Sequence, residues 1–167
     1  MISNSFDIVQ YLDKQYPSSP RVITPGTLAF EAAYYKYIHA GVRLKWPNAI
    51  YHRLYEISSP ESAVFLKGLK EQTFGDTLEN VAKNPQPQWD AYKDALSNVI
   101  LPIYENAEGV FLKGSEPSWA DFVTASWVLA IKLIYGGDSK EWKYIETWDG
   151  GRWVKLIKDL EPYAYVG

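Results

Sequence analysis

Hydrophobic residues recur at helical spacing through most of the chain. The clearest stretch places Trp89, Tyr92, Leu96, Val99 and Ile103 three or four residues apart, on one face of a helix. The alternating pattern of a half-buried strand is nearly absent, and proline and glycine divide the chain into short segments. The pattern therefore predicts an all-α fold, a bundle of sequential helices joined by short loops.

The predicted helices follow from the same spacing and from helix-start and helix-stop residues. They cover residues 5–16, 27–46 with another turn or two to 55, 60–74, 78–81, 89–103, 118–135, 138–148 and 152–160. The helix after Ser118 is apolar on most of its surface, so we expect it at the centre of the bundle.

Several polar residues stand where helix caps are needed. Ser118 and Asp121 have the spacing of a capping box, in which each side chain serves the other residue's free backbone amide. Asp138 and Glu141 repeat that spacing, and Thr27 is expected to cap the second helix. The prolines between residues 84 and 87 are expected to force a loop.

Composition narrows the classes of protein. The chain has 167 residues, 47% hydrophobic and 22% charged, enough to bury the core of one domain. Its net charge of −3, with no run of like charges, argues against nucleic acid or an anionic membrane as a partner. Without a membrane-spanning run, a signal peptide or a cysteine, we expect a cytosolic protein whose partners are small molecules or proteins.

Three segments together resemble one family, the glutathione transferases, over nearly the whole chain. They lie near the N-terminus, before and within the apolar helix, and close to the C-terminus: Ser3 to Ile8 with Tyr11-Leu12-Asp13, Phe111 to Gly114 with Pro117 to Phe122, and Glu141 to Trp153. The last segment resembles the fungal-specific, etherase-related class of wood-rotting basidiomycetes. Three matching segments in the right order are more specific than the capping box alone.

The resemblance implies a fold and a domain division. Residues 21–167 are expected to form the helical C-terminal domain of the family, and residues 1–20 to be the last helix of its thioredoxin-like domain. Relatives are usually dimeric cytosolic enzymes that activate the thiol of glutathione and transfer it to an electrophile or cleave an ether. Their thiol-activating residue and cis-proline would precede Met1, so of the glutathione contacts only Asn4 and Ser5 have counterparts, and Asn4 replaces an acid.

Two functions stay open. The first is a binding module for hydrophobic or aromatic small molecules that does not conjugate glutathione by itself. The second is an enzyme, either completed by a thioredoxin-like domain or a reduced relative with glutathione-independent chemistry. No cofactor is expected beyond the glutathione that the resemblance implies.

Five aromatic residues crowd the second predicted helix and are candidates for a ligand-binding wall, with core packing or a subunit interface as alternatives: Phe30, Tyr34, Tyr35, Tyr37 and Trp46. Apolar surface that a thioredoxin-like domain would cover favours self-association, so we expect a homodimer.

Candidates for catalysis or metal binding are few. His39 is the best candidate for a general base, because its helix lines the electrophile pocket of related transferases. Neither His39 nor His52 has an acid at the spacing of a zinc site, so no metal is expected. Glu31 and Asp121 could form an acid pair, but Asp121 is expected to act as a cap and Glu31 to lie on a solvated helix face.

Overall fold

The computed structural model describes residues 2–164 and confirms the all-α fold. Its α-helices within that range are α1 Ser5–Gln15, α2 Leu28–Gly41, α3 Ile50–Ile57, α4 Pro60–Phe74, α5 Leu78–Ala82, α6 Gln86–Ala95, α7 Leu101–Glu105, α8 Trp119–Tyr135, α9 Lys140–Glu146 and α10 Arg152–Leu160. A single antiparallel bridge between Phe111 and Gly114 closes the turn before α8. None of these helices is long and apolar enough to cross a membrane.

The apolar helix lies at the centre of the bundle, as expected. α2, α3, α9 and α10 all pack against α8, and Val128 and Ile131 of α8 are almost completely buried. Beside it lie three fully buried tryptophans: Trp142, Trp148 and Trp153. Burying residues of this size is the main source of stability in a small helical domain.

Two predicted helix caps differ from the structure. Thr27 is the N-cap residue of α2, as predicted, but its hydroxyl donates to the carbonyl oxygen of Thr24, 2.9 Å away, and not to the helix. At α9 the cap is Ser139, whose hydroxyl accepts a hydrogen bond from the Trp142 amide at 3.1 Å. Serine at this position has the preferred geometry, and Asp138 one residue earlier lies outside the helix.

The second helix is shorter than predicted. α2 ends at Gly41, and a 3₁₀ turn over Arg43–Lys45 leads to Trp46, which is extended because a proline follows it. Gly41 also lies close to the segment that follows α6, since a Cβ atom at Gly41 would approach the Val99 side chain to 2.8 Å.

The loop predicted between residues 84 and 87 is also shorter than expected. α6 begins at Gln86, because Pro87 lies in the first helical turn, where no backbone amide is required. Further along, a π turn over Leu96–Ile100 joins α6 to α7, and the Leu101 amide donates to the Leu96 carbonyl. Pro102 follows and cannot donate to the next carbonyl, which favours the wider turn.

α1 is held to the rest of the bundle by its polar and aromatic residues. The Asp13 carboxylate accepts hydrogen bonds from the amides of Val22 and Ile23 in the crossing loop, and the Phe6 ring stacks on Tyr35 at 5.6 Å. The division into residues 1–20 and 21–167 remains a prediction. Met1 and residues 165–167, the outer ends of those two segments, lie outside the described residues.

Candidate functional site

A cleft of about 680 Å³ runs along α8, and we call it the α8 cleft. One wall is a stripe of α8 itself, because Trp119, Phe122, Ser126 and Leu129 follow at helical spacing. The other walls come from α1, α2 and the end of the described chain, with Ser5, Tyr35, His39, Ile157, Leu160 and Tyr163 among the lining residues. A mostly apolar, aromatic cleft with a few polar groups is typical of a small-molecule site.

His39 is a half-buried polar side chain of this cleft. Its ring centroid lies 4.3 Å from that of Tyr35 and 6.1 Å from that of Trp127. Burial, with a smaller contribution from the positive charge of Arg43, lowers the pKa of His39. The imidazole is therefore mostly neutral at pH 7 and has one N–H donor and one nitrogen acceptor.

At the N-terminus of α8, Glu31 is buried against the helix. The Glu31 side chain has no exposed surface, and its Oε2 accepts a hydrogen bond from the Ala120 amide at 2.9 Å. Its Oε1 is buried without a partner among the described residues. Desolvation raises the pKa of Glu31 to about 7. The expectation that Glu31 lies on a solvated face is therefore wrong: it faces inward, toward the free amides that a helix N-terminus presents.

Asp121, in the first turn of α8, lies near Glu31 of α2, and both of its carboxylate oxygens accept hydrogen bonds. Its carboxylate accepts from the Ser118 amide at 2.8 Å, as in the predicted capping box, and also from the Ser118 hydroxyl at 2.7 Å. It also accepts from the Leu112 amide and the Tyr104 hydroxyl. Asp121 thus joins α7, the turn after it and α8, a structural role that agrees with the expected cap.

Comparison with known proteins gives the family. The sequence model of the glutathione S-transferase C-terminal domain matches residues 29–163. The chain belongs to the glutathione S-transferase family. No curated protein sequence matches this transferase-family chain.

Solved structures of fungal glutathione transferases have the same fold. A glutathione transferase of Phanerochaete chrysosporium is 26% identical with a TM-score of 0.88, over 99% of this chain and 66% of that one. A glutathione S-transferase of Ceriporiopsis subvermispora, solved in complex with glutathione, is 28% identical with a TM-score of 0.89, over 99% of this chain and 67% of that one. The chain therefore spans about two thirds of the length of these transferases.

Asn4 and Ser5, the counterparts of the family's glutathione contacts, lie at the start of α1. The Asn4 side chain caps α1, accepting from the Asp7 amide at 2.8 Å, and its amide group contacts the Asp7 carboxylate. Ser5 lines the cleft. Glutathione contacts of this pair remain predictions.

The structure separates the five aromatic residues predicted as a ligand wall. Tyr35 lines the α8 cleft. Tyr34 is buried, its hydroxyl 2.6 Å from that of Thr124, and Trp46 packs edge-on against the Tyr92 ring. Phe30 and Tyr37 are about half exposed on the outer face of α2, away from the cleft. Ligand contacts of all five remain predictions.

The cleft also contains aromatic residues that the sequence reasoning did not select. Trp119, Phe122 and Trp127 come from α8, and Tyr163 comes from the turn after α10. The helical spacing of residues 119, 122, 126 and 129 places them on one face of α8. The same spacing is typical of a helix face buried in the core, so it does not by itself indicate a ligand site.

The histidines are not brought together. His39 lines the cleft, whereas His52 lies on α3 and pairs with Glu56, 3.5 Å away and four residues later. The expectation that neither histidine has an acid at that spacing is therefore wrong for His52. Across residues 2–164, no three histidine or acidic side chains are close enough together to hold a metal ion.

Proposed function

We propose that this chain binds a hydrophobic, aromatic small molecule in the α8 cleft and does not conjugate glutathione by itself. The observation that carries the proposal is the cleft itself, about 680 Å³ in volume and lined by five aromatic side chains: Tyr35, Trp119, Phe122, Trp127 and Tyr163. Rings of this kind offer large contact areas to a flat ligand at little cost in side-chain entropy.

An enzyme is the second candidate, and Ser5 is the observation in its favour. Ser5 opens α1 and lines the same cleft, so a thioredoxin-like domain beside α1 would bring a glutathione thiol toward a bound ligand. In this form the protein would be a cytosolic transferase of the fungal etherase-related class, with His39 as the candidate base. A reduced relative with glutathione-independent chemistry would use the same cleft.

Calorimetry with naphthalene tests the binding proposal. Ser126 lies on the cleft wall and is exposed, so Ser126→Trp places a large ring in the binding space. Leu133→Trp is the matched control, because Leu133 is on the same helix, 74% exposed and outside the cleft. We expect naphthalene to bind the unmodified chain and Leu133→Trp equally, and Ser126→Trp at least tenfold more weakly. Equal binding to all three would contradict a site in the cleft.

Glutathione separates the two candidate functions. The binding proposal predicts no heat on titrating glutathione into the chain and no conjugation of 1-chloro-2,4-dinitrobenzene. Ordered glutathione binding or turnover by these residues would overturn it in favour of the enzyme.

We further propose that two copies of the chain associate through the outer face of α2. Phe30, Ala33, Tyr37 and Ala40 follow at helical spacing on α2 and are all exposed, and Leu44 in the 3₁₀ turn after α2 is 75% exposed. The two alanines allow another helix to approach closely between the larger side chains. Sedimentation should show a dimer that Tyr37→Glu dissociates, and a monomeric unmodified chain would exclude this interface.

A further inference from the structure

Four polar side chains of the α8 cleft are already hydrogen-bonded or exposed to solvent, whereas the Trp119 indole N–H, a donor only, is buried without a partner among the described residues. The Ser126 hydroxyl donates to the Val123 carbonyl at 2.8 Å. Ser5, Lys132 and Glu161 are exposed at its margins, and the Lys132 amine lies over the Trp142 ring at 5.4 Å. A ligand inside the cleft therefore gains little by pairing with any of these four groups.

His39 differs from them in burial and in pairing. It is half-buried, and neither ring nitrogen forms a hydrogen bond with another residue in the part of the chain that the structure describes. A partly desolvated polar group without a partner costs free energy, which a ligand that pairs with it recovers.

The His39 ring is also held in position. Tyr35 lies one turn earlier on α2, and the two rings are in contact at 4.3 Å. Trp127 of α8 approaches edge-on at 6.1 Å with the planes 82° apart. With aromatic rings on two sides, the imidazole has little rotational freedom to lose when a ligand binds.

We infer that His39 is the specificity-determining residue of the α8 cleft, selecting aromatic ligands that carry a hydroxyl or carbonyl group over unsubstituted hydrocarbons. The inference rests on the proposed function and names the ligand class for the same site. A neutral imidazole accepts a hydrogen bond from a ligand hydroxyl at one nitrogen and donates to a ligand carbonyl at the other. Aromatic amines that are cationic at pH 7 are disfavoured, because Arg43 lies near His39 and the rest of the wall is apolar.

A pair of ligands and three proteins test this selectivity at pH 7.5. Naphthalene and 2-naphthol differ by one hydroxyl, and calorimetry gives the ratio of their dissociation constants for the unmodified chain, His39→Phe and His52→Phe. His39→Phe keeps a ring of similar size without its nitrogens, and His52→Phe is the matched control away from the cleft. We expect the preference for 2-naphthol to fall about fivefold in His39→Phe alone, the size of one net hydrogen bond.

The outcomes distinguish this inference from the proposed function. If both ligands bind and the preference is the same in all three proteins, His39 is not the selecting residue, while the binding proposal stands. If neither ligand binds the unmodified chain, both proposals are wrong.

Nitrogen NMR of the unmodified chain gives an independent readout that does not depend on the variant folding. The His39 ring nitrogens should shift with 2-naphthol and much less with naphthalene, and equal responses would overturn the inference.

Discussion

Helix α8 contributes to two regions that differ in how fully their polar side chains are hydrogen-bonded. At its N-terminus, Asp121 is completely buried and accepts hydrogen bonds from four donors on three neighbouring residues. Along its middle, the same helix lines a cleft in which the half-buried imidazole of His39 forms no hydrogen bond with any residue between 2 and 164. The first arrangement fixes how the helices meet, and the second leaves a group available to a ligand.

Glu31 is intermediate between Asp121 and His39 in how completely it is hydrogen-bonded. It is as buried as Asp121, but within the described part of the chain only one of its oxygens accepts a hydrogen bond. Desolvation therefore dominates at Glu31, where the pKa rises to about 7. The two buried carboxylates thus differ in the number of hydrogen-bond donors around them.

The largest expected effect is at Asp121. Asp121→Asn keeps the size of the side chain but places an amide N–H₂ group among donors, so we expect a loss of about 4 kcal/mol in the free energy of unfolding. Urea unfolding measures it. The control Asp138→Asn changes an exposed acid outside any cap and should stay within about 0.5 kcal/mol of the unmodified chain. If Asp121→Asn lowered the free energy of unfolding as little as the control does, the hydrogen bonds of Asp121 would not stabilise the fold as proposed.

The next effect is the pH dependence that Glu31 confers. Because the folded pKa is raised from 4.5 to about 7, the folded chain holds the proton more tightly than the unfolded one, and stability falls as pH rises through that window. The difference corresponds to about 3 kcal/mol between pH 4 and pH 8.

Urea unfolding across that pH range checks the sign and the source of this effect. Glu31→Gln should remove the Glu31 part of the slope, whereas the exposed Glu61→Gln should keep it. An unchanged slope in Glu31→Gln would show that another group is responsible.

The smallest expected effect is at Tyr34, and it distinguishes the side of α2 that packs in the core from the side that lines the cleft. Tyr34→Phe removes the buried hydroxyl that bonds Thr124, so we expect a loss of about 1 kcal/mol in stability with no change in naphthalene affinity. The exposed Tyr37→Phe should change neither quantity. Weaker naphthalene binding by Tyr34→Phe would place Tyr34 at the ligand site.

The fold was predictable because its signals are local. The capping box at Ser118 and Asp121 lies within one helical turn, and the apolar stripe of α8 within four, so spacing alone indicates them. Most helices and the central position of α8 follow from such patterns. The end of α2 does not, because the helix stops at Gly41 although the helical spacing continues to Trp46.

The cleft was less predictable because distant segments form it. His39, Tyr35, Trp127 and Tyr163 line the same cleft because tertiary packing brings α2, α8 and the turn after α10 together. Crowded aromatic residues on α2 indicated a wall, but the sequence did not say which face of the helix turns toward α8. The inward position of Glu31 has the same origin, since its partner amide is 89 residues away.

Indole NMR signals during a naphthalene titration test the central claim most directly. Trp119 and Trp127 line the α8 cleft, whereas Trp148 and Trp153 are fully buried elsewhere in the core. We predict that the indole signals of the first pair shift in a saturable way and those of the second pair stay in place. Saturable binding that leaves Trp119 and Trp127 unshifted would contradict a ligand site along α8.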